Sequence, residues 1–269
     1  MVWWEAMVLE SQHFWELLII FISKILGKIE IENQNVEENE EIKKRLVFVP
    51  DDLYFFPNYN LLEMAGFYKA MYPNFDMENV KYLAGVLKLN LKSKIKTFSK
   101  GMKRQCALIC AISTNADYMF FDETFDGVDP IVRNLLKQII RKQMEKKPTT
   151  IIMTSHNLRE LEDICDNLGL LYKGGILFES EIGSINTSMT KVQFALHEEL
   201  NKEMLQGLEV MNFKKVGSVA TAIIKGNSEE IKMKLESLNP IILDFLPLTL
   251  EEVFVYEMEV LGYEFNQVL

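Results

Sequence analysis

Two short apolar runs, YMFF at 118–121 and IIM at 151–153, lie on either side of a segment with helical spacing that begins at Pro130. Strands that are apolar without alternation are buried on both faces, as in a parallel sheet covered by helices. Other strand-like and helix-like segments precede them: strands at 28–32 and 45–50, and helices at 59–72, 77–89 and 102–113. The pattern predicts an α/β fold.

Composition and charge narrow the class of protein and the kinds of partner. Hydrophobic residues make up 48% of the 269 residues, which excludes a disordered chain. The net charge is -10, whereas nucleic-acid binding relies on cations that displace phosphate counterions, so we expect no nucleic-acid partner. The longest apolar stretch, Phe14 to Leu26, contains charged residues and is shorter than a membrane span of about 20 residues. We therefore expect membrane attachment only through a partner.

The three cysteines, Cys106, Cys110 and Cys165, include no C-x-x-C pair. The sequence therefore predicts neither a disulfide framework nor a thiolate zinc site, and it fits a reducing cytoplasm. Cys106 and Cys110 stand four residues apart in an apolar run, and they are predicted to lie in the core.

A polar stretch, GSINTSMT at 183–190, marks a boundary between domains predicted at 28–183 and 190–269. Strands and helices in the second domain are predicted in this order: strand 192–196, helix 198–206, strand 210–216, strand 220–225, helix 228–238 and strand 241–246. This order is typical of a small ferredoxin-like α+β module. A last helix is predicted to begin at Thr249, because Thr249 and Glu252 have the spacing of a capping box.

A candidate anion site lies at the start of the predicted helix 102–113. FSKGMKR at 98–104 places Ser99, Lys100 and Gly101 at the mouth of this helix. Unpaired N–H groups and the helix dipole favour an anion there, although an ordinary helix cap would use the same residues.

Charged residues also follow the two apolar strands. Asp122 and Glu123 end the first strand, the acidic turn FDGVDP follows at 125–130, and His156 ends the second strand. Carboxyl ends of parallel strands meet at one sheet edge, where nucleotide-binding sheets hold Mg²⁺, and a second carboxylate there can act on a water. The alternative for Asp122 and Glu123 is an exposed acidic turn after a strand, and the alternative for His156 is a structural role.

Taken in order, these features resemble the signature motif, Walker B motif, D-loop and switch histidine of ATP-binding cassette (ABC) transporters. TFSKGMKRQ resembles the signature of exporter-type cassettes, and MFFDETFDGVDP and TSHNLRELEDICDNLGLLYKGGIL are similar to the family throughout. The resemblance covers about Lys28 to Ile182, and LTLEEVFVYEME at 248–259 resembles the end of such subunits. It implies a P-loop NTPase-like ABC ATPase domain that is N-terminally incomplete, with a helical subdomain at about 59–113.

This resemblance implies an ATPase reaction, in which ATP and water give ADP and phosphate. Asp122 would hold Mg²⁺ through water, Glu123 would act on the attacking water, and His156 would contact the γ-phosphate. ATP and Mg²⁺ are the implied cofactors.

The family completes each ATP site across a head-to-tail dimer of two nucleotide-binding domains. The resemblance therefore implies that Ser99, Lys100 and Gly101 approach ATP bound to a second domain, identical or different, and that Asp129 links the two sites. An integral membrane permease subunit is the other implied partner.

Two departures from the family pattern concern the nucleotide. The chain reads VPDD at 49–52, where the family usually has a glutamine, and Asp51 is the nearest match. Asp51 can ligate Mg²⁺, but while ionised it cannot donate a hydrogen bond. No G-x-x-x-x-G-K-[ST] occurs in the printed sequence, so the loop that cradles the phosphates is missing.

Residues 1–27 are expected to match no element of the fold, and two interpretations stay open. One is a divergent helix in a degenerate cassette. The other is an out-of-frame translation of residues 1 to about 26, with the original start further upstream. Trp4-Glu5 and Met7-Val8 both encode glycine when they are translated from the third base, and the displaced frame can encode GSNGAGKST, a complete P-loop.

The sequence thus predicts the ATPase subunit of an ABC transporter, in the cytoplasm and peripheral to the inner face of the cell membrane through its permease. One alternative is a catalytically inactive cassette that supplies its signature motif to an intact partner. The other is a cassette protein of translation or DNA repair. It is disfavoured because such proteins usually carry paired cassettes or long insertions, and this acidic chain shows neither.

Overall fold

The computed structural model describes residues 2–5, 30–37, 39–155, 157–172, 175–181, 189–197, 201–249 and 251–252. The chain divides into two compact units, Met1–Glu179 and Ser180–Leu269. Within the described residues, no helix has the length and apolar character needed to cross a bilayer.

The strands as far as residue 181 are β1 (Val2–Glu5), β2 (Glu30–Ile31), β3 (Gln34–Asn35), β4 (Leu46–Val49), β5 (Tyr118–Phe121), β6 (Thr150–Ser155), β7 (Asn167–Tyr172) and β8 (Gly175–Glu181). Six of them form one sheet in the order β4-β5-β6-β1-β7-β8, and β2 and β3 form a separate antiparallel pair. The pairings β4-β5, β5-β6, β6-β1 and β1-β7 are all parallel. The predicted parallel α/β sheet is confirmed.

The prediction that residues 1–27 match no element of the fold is wrong for β1. This strand is paired on both sides, with Trp4 opposite Ser155 of β6 and opposite Leu170 of β7. Its sequence, VWWE, is a short run of β-branched and aromatic residues, which is the composition of a strand inside a parallel sheet. Residues 6–29 lie outside the described part of the chain.

The helices of the first unit are α1 (Glu40–Lys43), α2 (Leu61–Met71), α3 (Met77–Val86), α4 (Lys100–Ser113), α5 (Pro130–Lys146) and α6 (Leu158–Glu162). Local signals set their ends. Asn60 and Glu63 form a capping box at the start of α2, and Asp76 caps α3 after the break at Pro73. α5 begins with Pro130 directly after its cap, Asp129, as proline at a first helical position favours.

α4 is the most buried helix of this unit and places the predicted signature residues. Its residues are buried almost without a break from Arg104 to Ser113, and Cys106 and Cys110 have no exposed surface. Burial raises the pKa of the Cys106 thiol to about 12, so this side chain stays protonated at neutral pH. Both cysteines are core residues, as predicted.

The second unit contains β9 (Met189–Ala195), β10 (Glu209–Val216), β11 (Val219–Lys225), α7 (Ser228–Glu236) and β12 (Ile242–Leu246). The strands form an antiparallel sheet in the order β10-β11-β9-β12, which is the strand order of a ferredoxin-like module. The predicted helix 198–206 differs: Lys202–Leu205 is a 3₁₀ helix, and residues 198–200 are not described. Thr249 and Glu252 exchange the hydrogen bonds of the predicted capping box.

Candidate functional site

The candidate site lies at the carboxyl edge of the parallel sheet. The register pairs Val49 with Phe121, and Phe121 with Met153, so the residues that follow β4, β5 and β6 emerge side by side. Asp51 and Asp122 therefore lie at this edge, and His156 stays a prediction for it. β1 also ends here, because it runs parallel to β6. His156 itself lies outside the described residues.

Asp122 is held rigidly at the end of β5. Asp122 is only 3% exposed. Thr154 donates a hydrogen bond from Oγ1 to Oδ1 of Asp122 at 2.5 Å. The backbone N–H of Asp122 donates to the carbonyl of Val49 at 2.9 Å. A buried carboxylate must be hydrogen-bonded to stay ionised, and these contacts fix its direction.

Glu123 adopts an unusual backbone conformation next to it. Its φ angle is 44°, in the left-handed region that non-glycine residues rarely occupy. Its N–H donates to Oγ1 of Thr154 at 3.4 Å, and the N–H of Asp126 donates to its carbonyl at 3.1 Å. Such strain persists where surrounding contacts impose it, and it often marks a functional site.

The residues beside His156 are anchored, although His156 is not described. Ser155 donates from Oγ to Oε2 of Glu160 at 3.1 Å, and the N–H of Asn157 donates to Oγ of Ser155 at 3.1 Å. Glu160 in turn pairs with Arg133 of α5 at 2.7 Å. This network anchors Ser155 and Asn157, the two sequence neighbours of His156.

The predicted signature residues lie at the exposed start of α4. Ser99 caps the helix, since its side chain accepts a hydrogen bond from the N–H of Met102 at 3.2 Å. Lys100 pairs with Asp126 at 2.6 Å, and both Ser99 and Lys100 are exposed. The side chain of Ser99 already accepts from one backbone N–H, so an anion here would accept hydrogen bonds from the other backbone N–H groups of the first turn.

Gly101 packs against the acidic turn that follows β5. A Cβ atom at Gly101 would lie 2.8 Å from the carbonyl oxygen of Gly127, which is closer than real Cβ atoms come to backbone. Gly127 has a φ of +69°, the left-handed conformation that glycine adopts without strain. The backbone of the signature segment and that of the turn therefore touch directly, and only glycine permits this approach.

Two further predicted residues have structural partners. Asp129 is exposed and caps α5, accepting from the N–H of Ile131 at 2.9 Å. Asp51 forms an ion pair with Arg104 of α4. Both assignments to ATP therefore stay predictions, and the contact of Asp51 bears on its role below.

The described residues contain no cluster of three or more histidine, cysteine or acidic side chains that would form a metal cage. Asp122 nevertheless suits Mg²⁺, because this ion keeps several waters and takes one or two carboxylates together with substrate phosphates. A single oriented carboxylate at a strand end is such a ligand set.

Comparison with known proteins bears on the family. Residues 14–126 match the family model described as ABC transporter. This part of the chain includes β4, the signature residues and the Asp122–Glu123 pair. The chain carries an ABC transporter ATP-binding domain. ABC ATPases hydrolyse ATP.

Two curated proteins similar to this ATP-binding domain come from Bacillus subtilis. The chain is 24% identical over 230 residues to the ABC transporter ATP-binding protein YtrB of Bacillus subtilis, covering 85% of this chain and 78% of YtrB. It is 30% identical over 169 residues to the linearmycin resistance ATP-binding protein LnrL of the same species, covering 58% of this chain and 54% of LnrL. The chain thus spans little more than half the length of LnrL.

Solved structures share the fold of the ATP-binding domain. An ATP-binding subunit of an ABC transporter superposes with a TM-score of 0.62 at 21% identity, over 68% of this chain and 79% of that one. A bacterial Atm1-family ABC exporter with ATP bound superposes with a TM-score of 0.57 at 18% identity, over 68% of this chain and 34% of that one.

The family match also bears on the N-terminal hypotheses. It begins at residue 14 in the printed reading frame, inside the segment that the displaced-frame hypothesis covers. The displaced frame stays a prediction, to be decided by the codons.

Sequence reasoning missed two residues of the site. A usable signal for Thr154 is that it is a polar residue near the end of a buried strand, β6, while an aspartate follows the neighbouring strand β5. The sequence places Arg104 in the signature motif but does not indicate that its side chain is buried. Its burial depends on packing, and its partner Asp51 lies 53 residues away in the sequence.

Proposed function

We propose that this chain is the ATP-binding and ATP-hydrolysing subunit of an ABC transporter, coupled to a separate integral membrane permease subunit. The observation that supports this most is the pair Asp122 and Glu123 at the carboxyl edge of a parallel sheet, with Thr154 contacting both residues. The similarity to YtrB over most of both chains supports the same function.

Glu123 is the proposed general base. It follows the buried Asp122 directly, and its strained backbone is fixed by Thr154 and by the turn to Asp126. A carboxylate in this position can orient a water and accept its proton as the water attacks a phosphate. Asp122 would hold Mg²⁺, which neutralises charge on the phosphates when it is bound.

A second nucleotide-binding domain is the proposed partner of the signature segment. Ser99 and Lys100 are exposed on the surface of the first unit, where they are accessible to another molecule. We propose that the two domains close head to tail when ATP binds, and that hydrolysis reopens them and drives the permease. In this arrangement the chain is cytoplasmic and peripheral to the membrane, and it uses no nucleic acid.

The test is ATP hydrolysis by a form of the chain that carries an intact P-loop, co-expressed with its permease in membrane vesicles. We expect Mg²⁺-dependent turnover that the substitution Glu123→Gln reduces about 10²- to 10⁴-fold, the usual contribution of a general base. Glu145→Gln, at an exposed position of α5, is the matched control for loss of a carboxylate charge.

Equal turnover with glutamate or glutamine at 123 would refute the role of Glu123. ATP-dependent transport that persists in the glutamine variant, driven by an intact partner cassette, would instead favour the inactive-cassette alternative.

A further inference from the structure

Arg104 is a cation with no exposed surface, on the second turn of α4. Its guanidinium donates from Nη1 to the carbonyl of Pro50 at 3.1 Å, and its Nη2 pairs with Oδ1 of Asp51. Its Nε has no hydrogen-bond partner among the described residues. Asp51 is thus the carboxylate that balances a fully buried charge.

A buried cation is tolerated only when a counter-charge accompanies it. The glutamine that the family pattern places near this position is neutral and would leave Arg104 uncompensated. The departure to aspartate therefore has a physical reason within this chain, and that reason involves no nucleotide.

We propose that Asp51 and Arg104 form a positioning pair, in which Asp51 is the counter-ion of Arg104 rather than a ligand of the nucleotide or of Mg²⁺. The pair ties the segment after β4 to α4, and so fixes Ser99 relative to the edge of the sheet. The relevance of Ser99 to ATP rests on the proposed function, whereas the pair itself does not.

The first two turns of α4 are consequently held by two segments at the edge of the sheet. The segment after β5 contacts it through the close approach of Gly127 to Gly101. The segment after β4 contacts it through Arg104, nearly one helical turn further on. A displacement of Pro50 and Asp51 is therefore transmitted to α4 through two polar contacts rather than through apolar packing alone.

The test is a double-mutant cycle on the full chain, followed by thermal unfolding. Asp51→Asn should lower the unfolding midpoint by about 2 to 5 °C, because it removes the carboxylate beside the buried Arg104. The effect should be smaller than for a fully buried pair, since the Asp51 side chain is 41% exposed. Adding Arg104→Met should recover most of this loss, because the unpaired charge is removed. Asp52→Asn is the matched control: Asp52 is the exposed neighbour, and its loss should leave the midpoint unchanged.

A positional readout separates this pair from general stabilisation. We expect hydrogen exchange of the Met102 and Lys103 amides, which bond to Ser99, to speed up about tenfold in Asp51→Asn and to stay unchanged in Asp52→Asn. If Arg104→Met does not fold, Asp51→Glu replaces it in the comparison and should restore slow exchange, since it keeps the charge.

The proposal is overturned if Asp51→Asn changes neither the midpoint nor the exchange, or if the two substitutions act additively. It is also overturned if Asp51→Asn weakens Mg-ATP binding at unchanged stability, which would make Asp51 a nucleotide ligand. None of these measurements depends on turnover, so failure of the pair and failure of the ATPase proposal are distinguishable.

Discussion

Thr154 contacts both carboxylate residues of the site, yet it is neither charged nor exposed. It donates to Asp122 and accepts from the N–H of Glu123, so a single hydroxyl orients the predicted metal ligand and supports the strained backbone of the predicted base. Mutation of a residue that hydrogen-bonds to a metal ligand typically lowers metal affinity or activity 10- to 100-fold.

Replacing this hydroxyl tests its role with almost no change in volume. In a form of the chain that turns over ATP, we expect Thr154→Val to raise the Mg²⁺ concentration for half-maximal activity about tenfold, because Asp122 loses its orienting donor. Titration of activity with Mg²⁺ measures this effect.

Thr154→Ser keeps the hydroxyl and is the control, which should retain the Mg²⁺ dependence of the original chain. A valine variant with unchanged Mg²⁺ dependence would show that Asp122 needs no donor from β6.

At the level of elements, a charged cluster connects the β2-β3 pair to the amino ends of β4 and β5. Arg45 donates two hydrogen bonds to Glu32, at 2.7 and 3.0 Å, and a third to Asp117 at 2.5 Å. Tyr118 donates from its hydroxyl to Glu32 at 2.7 Å. The bonds from Arg45, and then that from Tyr118, lower the pKa of Glu32 to about 2.

This cluster predicts a pH-dependent stability. The pKa of Glu32 is lower in the folded chain than its ordinary value of 4.5, so its contribution is present above pH 4.5 and is lost as the pH falls toward 2. Glu32→Gln should therefore lower the unfolding midpoint at pH 7 and have less effect at pH 3. Thermal unfolding of both proteins at the two values measures the difference.

Exposed pairs are screened by salt, so the effect at pH 7 should be small and should shrink further in 1 M NaCl. Glu40→Gln, at an exposed position in α1, controls for loss of a surface charge. A difference that grows on acidification would contradict this assignment.

The contact between α4 and the turn after β5 predicts an unusual result for a helix glycine. Alanine normally stabilises a helix over glycine by about 1 kcal/mol, but Gly101→Ala would place Cβ at 2.8 Å from the backbone of Gly127. We expect it to lower the unfolding midpoint.

Gly85→Ala in α3 is the matched control, because nothing lies within 4 Å of a Cβ there. It should raise the midpoint slightly. If both substitutions stabilise the protein equally, the approach of Gly101 to Gly127 is not tight.

At the scale of the whole molecule, the sequence predicted those parts that local patterns specify. Apolar runs indicated β5 and β6, and helical spacing indicated α2 and, from Pro130, α5. The spacing of a capping box indicated the segment after Thr249, and the order of elements indicated the ferredoxin-like module. Pairing across the sheet was not predictable, because the register depends on tertiary contacts. For this reason the contact of Thr154 with Asp122, and that of Asp51 with Arg104, emerged only in three dimensions.

The N-terminal segment leads to a prediction about the gene. If a displaced frame encodes the P-loop, Glu10 must be GAA, Ser11 must be AGT and Gln12 must be CAA, because only these codons give Lys-Ser-Thr from the third base. Val8 must then be GTG and Leu9 must be CTG for the preceding Ala-Gly. Resequencing of the first thirty codons decides this.

A GAG codon at Glu10, or a TCN codon at Ser11, excludes the displaced P-loop and leaves an authentic N-terminus. In that case the chain should bind Mg-ATP weakly on its own, because the printed sequence contains no P-loop to cradle the phosphates. Isothermal titration measures this, and micromolar affinity would show another anchor for the phosphates.

The position of β1 has a consequence for how the protein assembles. β1 pairs with β6 and β7, whose sequences begin about 150 residues later in the chain. Until those strands are synthesised, β1 has neither neighbour, so closure of the sheet is a late, long-range event in folding. A substitution in β1 therefore acts on the middle of the sheet, between β6 and β7, and not on its margin.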